Sequence, residues 1–103
     1  MGSEANFFRK SEIKTINAKV GEKISIDEEE NSSIGSTFDI VGKEHEKYLE
    51  MVEENSFGEN ICGAYSTHRL VFKCIKAGKV KLRLQWKYRG RKEGVTTYII
   101  KIK

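Results

Sequence analysis

The segment VKLRLQWKY at positions 80–88 constrains the fold more than any other part of the sequence. Apolar side chains occupy every second position from Val80 to Tyr88, and lysine, arginine and glutamine fill the positions between them. Successive side chains of a β-strand point to opposite faces, so this pattern gathers the apolar groups on one face. The segment therefore predicts a long strand with one face against a core and the other in water.

Shorter segments with the same period occur along the rest of the chain. A weak candidate strand lies at 11–18, and clearer ones lie at 23–27, 37–41, 68–75 and 95–103. Their predicted inward residues are Ile24, Ile26, Phe38, Ile40, Leu70, Phe72, Cys74, Tyr98, Ile100 and Ile102. Because the chain has no proline, glycine and small polar residues must build the turns, predicted at 20–22 and 76–79, and a polar loop is predicted at 89–94. Several short strands at this spacing predict an all-β sandwich.

The length of 103 residues fits one domain with one modest core. The first ten residues lack periodicity, and Met1-Gly2-Ser3 resembles an expression scar. We therefore expect residues 1–10 to be a tag remnant and a disordered N-terminus, with the domain at 11–103. No signal-peptide pattern occurs at the start.

The segment EHEKYLEMVEEN at positions 44–55 supports two interpretations. Good helix formers and apolar residues at 48, 49, 51 and 52 favour a helix. Read as a strand, the same segment would direct Leu49 and Met51 inward. A short helix near 43–48 is also compatible with the pattern.

Charge is divided unevenly along the chain. Residues 21–60 carry twelve carboxylates and three lysines, a net charge of −9, whereas residues 61–103 carry twelve lysines and arginines and one glutamate, a net charge of +11. The simpler interpretation is that acidic strands pair with basic ones. Nucleic-acid binding is the other interpretation, but the alternation places the Trp86 and Tyr88 rings opposite the basic face, where they could not stack on bases.

Catalytic and metal-binding signatures are poor. The two cysteines, Cys62 and Cys74, match no zinc pattern, and Cys74 is predicted to be a buried thiol rather than half of a disulfide. Cys62 with His68 as its base could form a thiol nucleophile, but no third orienting group is evident, so His68 is interpreted as a surface strand residue. We therefore predict no enzyme activity, no cofactor and no metal.

The order of turns and strands resembles that of the chagasin-type inhibitors of papain-like cysteine proteases, over roughly residues 18–103. The features that carry the resemblance are a Val-Gly-Glu turn, the pentapeptide NSSIG at 31–35, the sequence Gly-Ala-Tyr-Ser at 63–66, and a Lys-Ala-Gly turn before the long strand. The resemblance implies an immunoglobulin-like β-sandwich of about seven strands, with three binding loops at one end. It also suggests a domain of a larger parasite inhibitor, similar to the falstatin-like inhibitors of malaria parasites.

The resemblance also implies which residues contact a protease. The family's first loop has the pattern Asn-Pro-Thr-Thr-Gly, its second has Gly-x-Gly before a small residue, and its third has Arg-Pro-Trp. Here the proline becomes Ser32, the second threonine becomes Ile34, and the third motif, which falls on 88–90, is not preserved. The expected protease-binding residues are Asn31, Ser32, Ser33, Ile34, Gly35, Gly63, Ala64, Tyr65, Ser66, Tyr88, Arg89, Gly90 and Arg91.

The function implied by the resemblance is reversible, tight-binding inhibition of a papain-like, cathepsin L-type protease. The loop from Asn31 to Gly35 would enter the active-site cleft, and the other two loops would flank it. The expected partner is the protease in a 1:1 complex, with no nucleic acid and no membrane, and the free chain is expected to be a monomer. Family resemblance suggests secretion or residence in secretory or endolysosomal vesicles. The alternative is a non-inhibitory immunoglobulin-like interaction or adhesion domain.

Overall fold

The chain forms a sandwich of two β-sheets. The computed structural model describes residues 11–30, 35–58 and 66–103. Within those ranges the strands are β1 (Glu12–Ala18), β2 (Lys23–Glu30), β3 (Ser36–Val41), β4 (Leu49–Gly58), β5 (Ser66–Cys74), β6 (Gly78–Tyr88) and β7 (Arg91–Ile102). One sheet has the order β1-β7-β6-β3 and the other β2-β5-β4. The predicted all-β, immunoglobulin-like sandwich is confirmed; the expectations for residues 1–10 lie outside the described residues.

The core lies between the sheets, where the sequence alternation placed it. The buried apolar residues are Ala18, Ile24, Ile26, Phe38, Leu49, Leu70, Phe72, Cys74, Val80, Leu82, Leu84, Trp86, Tyr98, Ile100 and Ile102. Trp86 is 1 % exposed and packs edge-on against Phe38, with ring centroids 5.1 Å apart. Its indole Nε1–H donates to the Thr96 hydroxyl at 2.9 Å, so the buried polar atom of the ring is satisfied.

The ambiguous middle segment contains both a short helix and a strand. Residues Glu44–Lys47 form one 3₁₀ turn, and β4 begins at Leu49. Pairing with β5 overrides the helix propensity of this stretch. Leu49 is buried at 2 % exposure, as expected for the strand interpretation. Met51 lies opposite the buried Phe72, yet it is 40 % exposed, on a strand at one edge of the sheet.

The predicted polar loop at 89–94 is wrong. Arg89 and Gly90 alone form the turn, and β7 begins at Arg91. Both turn residues have positive φ, 51° and 81°, as in the type I′ turns that suit a two-residue hairpin. The pairing of β6 with β7 is irregular near this turn. Gln85 lies opposite Val95, whereas Lys87 lies opposite Lys92. The polar residues from Arg91 onward, which were expected to form a loop, are therefore part of β7.

The charge interpretation holds for the smaller sheet and in part for the larger one, where Lys87 of β6 forms an ion pair with Asp39 of β3. Asp27 in β2 accepts two hydrogen bonds from the Arg69 guanidinium in β5, at 2.7 and 2.9 Å. In the larger sheet the basic strands β6 and β7 pair with each other, and Lys79 lies directly opposite Lys101. Strand order rather than charge complementarity therefore decides these neighbours.

The remaining sequence expectations concern the cysteines and the membrane. Cys74 is a free, fully buried thiol, and burial raises its pKa, as expected for an unreactive core cysteine. Cys62 lies outside the described residues. In the part of the chain that the structure describes, no helix is long and apolar enough to cross a membrane.

Candidate functional site

The strand ends that flank the three predicted loops lie at the same end of the sandwich. In the smaller sheet, Ser66 at the start of β5 is the register partner of both Glu30, at the end of β2, and Gly58, at the end of β4. The connection that follows Glu30 and the connection between Gly58 and Ser66 therefore leave the sheet side by side. This arrangement follows from antiparallel pairing, which puts the end of one strand beside the start of its neighbour.

The first connection rejoins the larger sheet beside the β6–β7 turn. Ser36 lies opposite Tyr88, and the Arg89 backbone N–H donates to the Gly35 carbonyl at 3.1 Å. Gly35 has a φ of +82°, and a Cβ added to it would lie 3.1 Å from the Arg89 nitrogen and 3.2 Å from its Cα. Glycine is needed here both for the left-handed backbone and for the close approach of the turn.

Six of the thirteen predicted protease-binding residues are described, and the structure brings them to this end. Gly35 immediately precedes β3, and Ser66 is the first residue of β5. The hairpin tip is formed by Tyr88, Arg89, Gly90 and Arg91. Arg89 and Arg91 are exposed, and the Arg89 guanidinium lies 5.4 Å from the centre of the half-buried Tyr88 ring. The other seven, Asn31, Ser32, Ser33, Ile34, Gly63, Ala64 and Tyr65, lie outside the described residues.

A polar cluster between the sheets lies next to these loop stems. Glu30 is buried, and one of its carboxylate oxygens accepts the Phe38 backbone N–H at 3.1 Å. The other oxygen lies 2.9 Å from Nδ1 of His68, and Nε2 of His68 lies 2.7 Å from the Glu54 carboxylate. Phe38 stacks on the His68 ring, with centroids 4.7 Å apart. We refer to Glu30, Phe38, Glu54 and His68 as the stem cluster.

His68 was expected to be a surface residue, and that expectation is wrong. Its side chain is only 15 % exposed, because its position in β5 shares the inward face of Leu70 and Phe72. Both ring nitrogens face carboxylates, so His68 is not available as the base of a thiol nucleophile. The described residues also contain no group of three or more His, Cys, Asp and Glu side chains that could hold a metal ion.

A second buried carboxylate links the sheets one step further inside. The Tyr98 hydroxyl donates to the Glu28 carboxylate, and Lys14 Nζ lies 3.2 Å from the same carboxylate. Burial, and then this contact with Glu28, raises the pKa of Tyr98 well above its ordinary value. Together with the stem cluster, these contacts make the sandwich interior polar at the loop end.

Sequence reasoning missed both inward glutamates, although a signal was present. The alternation of Ile24 and Ile26 along β2 continues without a break to Glu28 and Glu30, and all four of these residues are buried. The two-residue period therefore predicts that these two carboxylates face inward. The general rule that glutamate stays in water unless it is paired favours the opposite prediction.

An exposed aromatic at this end was also missed. Phe57, next to last in β4, is 46 % exposed on the outer face. The Arg69 guanidinium covers its ring at 4.9 Å while also binding Asp27. The hydrogen bond from Arg69 lowers the pKa of Asp27, so this pair remains charged over the neutral range.

Known structures share this fold. No protein-family model matches the chain, and no curated protein matches it significantly. The cysteine protease inhibitor EhICP2 from Entamoeba histolytica superposes with a TM-score of 0.66 and 17 % sequence identity, covering 90 % of this chain and 97 % of that chain. This chain has the fold of a cysteine protease inhibitor.

Two further structures agree with that comparison. PbICP-C, solved in complex with falcipain-2, has a TM-score of 0.61 and 19 % identity, covering 91 % of this chain and 92 % of that chain. Amebosin has a TM-score of 0.55 and 15 % identity, covering 86 % of this chain and 88 % of that chain. At these identities the resemblance expected from the sequence is confirmed for the fold, and activity is a separate question.

Proposed function

We propose that this protein is a reversible inhibitor of papain-like cysteine proteases, of the cathepsin L type, rather than an enzyme. The observation that carries the proposal is that the strand ends flanking three connections lie together at one end of a fold shared with a cysteine protease inhibitor. Loops presented by a rigid sandwich are a common way to build a binding surface. The partner of a solved neighbour, falcipain-2, adds support for a protease as the partner of this chain.

In this proposal the connection from Asn31 to Gly35 enters the active-site cleft. Small residues such as Ser32 and Ser33 suit a narrow cleft, and Ile34 would fill an apolar subsite. The Asn31 side chain can bond to its own backbone and shape the loop. Gly35 supports this role because its carbonyl is bonded to the neighbouring turn, which fixes the exit of the connection.

The other two connections would contact the protease on either side of the cleft. Gly63, Ala64, Tyr65 and Ser66 would form one flank. The hairpin tip of Tyr88, Arg89, Gly90 and Arg91 would form the other. Because Arg89, Arg91 and Lys92 are exposed at this tip, it fits a protease with an acidic rim, where complementary charge speeds association.

The test introduces a charge into the proposed cleft-binding loop. A Ser33→Glu variant should weaken inhibition of papain by at least about tenfold, about 1.4 kcal/mol, because the carboxylate would be desolvated in the cleft. The measurement is the inhibition constant against papain and a cathepsin L-type protease.

The matched control is Ser25→Glu, which makes the same change on the exposed face of β2. This control should inhibit like the wild type. Equal inhibition by Ser33→Glu and the wild type would contradict insertion of this loop.

A further inference from the structure

The His68 side chain lies between two carboxylates that belong to different strands. Nδ1 is 2.9 Å from the Glu30 carboxylate of β2, and Nε2 is 2.7 Å from the Glu54 carboxylate of β4. Glu30 is enclosed, with a side chain 12 % exposed, whereas the Glu54 side chain is 52 % exposed. One imidazole ring thus joins a buried carboxylate to one that borders water.

Hydrogen-bond accounting fixes the number of protons that this arrangement needs. An ionised carboxylate only accepts, and a neutral imidazole carries one N–H and one bare nitrogen. Both contacts therefore require a hydrogen on each ring nitrogen when Glu30 and Glu54 are ionised. Loss of one proton leaves a lone pair facing a carboxylate oxygen, and that contact becomes repulsive.

Other charged groups near the ring have partners of their own. Glu28 lies opposite His68 in the register of β2 and β5, but its carboxylate is bound by Tyr98 and Lys14. From β3, Phe38 covers the ring by stacking. From β4, Ser56 lies opposite His68 and contributes no charge.

The stem cluster ties together the strands from which the proposed binding loops emerge. Glu30 is the last residue of β2, immediately before the first connection, and its second oxygen holds the Phe38 N–H of β3 on the far side of that connection. Glu54 lies in β4, four residues before Gly58, where the second connection begins. The His68 ring and the Glu30 carboxylate therefore connect the stems of β2, β3 and β4.

We propose that Glu30, His68 and Glu54 form a pH-dependent clamp that positions the loop stems when His68 is protonated, so that inhibition is stronger at acidic than at alkaline pH. This inference rests on the proposed function and assigns its regulation to positioning residues that do not themselves touch the protease. When the stems are ordered before the protease binds, less conformational entropy is lost on binding. This advantage decreases as the His68 ring loses its proton. Histidine is the side chain that changes charge between about pH 5 and pH 8.

The decisive variant is Glu54→Gln. The glutamine amide can donate to a neutral Nε2 and its carbonyl can accept from a protonated one, so the clamp should close at both ends of the pH range. Glu54 is half exposed, so the substitution leaves the core intact. Glu50→Gln, which removes one negative charge from an exposed position of the same strand, is the matched control.

The experiment measures inhibition constants of the three proteins against one protease at about pH 5.5 and about pH 8. The ratio of the wild-type constant to the Glu54→Gln constant cancels the pH dependence of the protease itself. We expect this ratio to rise about fivefold at the higher pH, as one charged hydrogen bond is lost, and the ratio to Glu50→Gln to stay constant. A ratio to Glu54→Gln that does not change with pH would overturn the proposed regulation.

A second readout uses the free protein and separates the clamp from the proposed function. The NMR signal of the Phe38 amide should titrate together with the His68 ring in the wild type, and much less in Glu54→Gln. If the wild type inhibits at neither pH, the proposed function fails and the regulatory role fails with it, while this titration still shows whether the clamp forms. If the Phe38 amide does not respond to pH, the clamp itself is refuted.

Discussion

Replacing Gly35 with valine is expected to weaken inhibition of papain by well over tenfold, and to destabilise the fold by about 1–3 kcal/mol. Gly35 has a φ of +82°, which a β-branched residue adopts only under strain. The new Cβ would also meet the Arg89 backbone at 3.1 and 3.2 Å. Backbone atoms in a two-residue turn cannot rotate away as a side chain can, so the first connection or the hairpin tip must shift by a few tenths of an ångström.

A control for this substitution exists at the other end of the sandwich. Gly21 has a φ of +93° in the turn before β2, but a Cβ there would meet nothing within 4 Å. Gly21→Val should therefore lose stability through backbone strain and keep its inhibition constant. Inhibition constants and urea midpoints of both variants separate the two effects. Equal inhibition by Gly35→Val and the wild type would show that the junction with Arg89 does not shape the binding surface.

Replacing Trp86 with alanine is expected to cost about 3–5 kcal/mol of unfolding free energy. The ring is 1 % exposed and packs against Phe38, so its removal leaves a large cavity in the centre of the core. The Thr96 hydroxyl, buried at 3 % exposure, also loses its indole donor. Since domains of this size are stable by about 5–15 kcal/mol, this loss would leave the native state marginal.

Urea denaturation followed by circular dichroism measures this effect. Lys81→Ala is the appropriate control, since Lys81 lies on the exposed face of the same strand and should change stability by less than about 0.5 kcal/mol. A Trp86→Ala midpoint close to that of Lys81→Ala would contradict the position of the indole in the core.

The sequence predicted most of the core because alternation reports burial directly. The inward faces of β5 and β6 follow from the HRLVFKCI and VKLRLQWKY patterns. The hairpin tip was mispredicted, because Arg89-Gly90 is not a typical turn pair and the polar residues after it resemble a loop. Residues 49–58 form a strand because they pair with β5, and the local helix or strand propensity of a segment does not predict such pairing.

The position of the candidate site could be predicted from the sequence, but the contacts that hold the loop stems together could not. Turn residues and a family resemblance located the three connections, and the described stems of those connections do meet at one end. The stem cluster could not be found in this way, because it joins Glu30, Glu54 and His68, which are distant in sequence and polar. Only the three-dimensional register brings a histidine between two glutamates.

The measurement that tests the central claim most directly is a titration of active papain with this protein. Residual activity should fall linearly to zero at one equivalent, and mass spectrometry of the mixture should recover the inhibitor uncleaved. Undiminished activity at micromolar inhibitor, or loss of inhibition through cleavage between residues 31 and 35, would contradict the account.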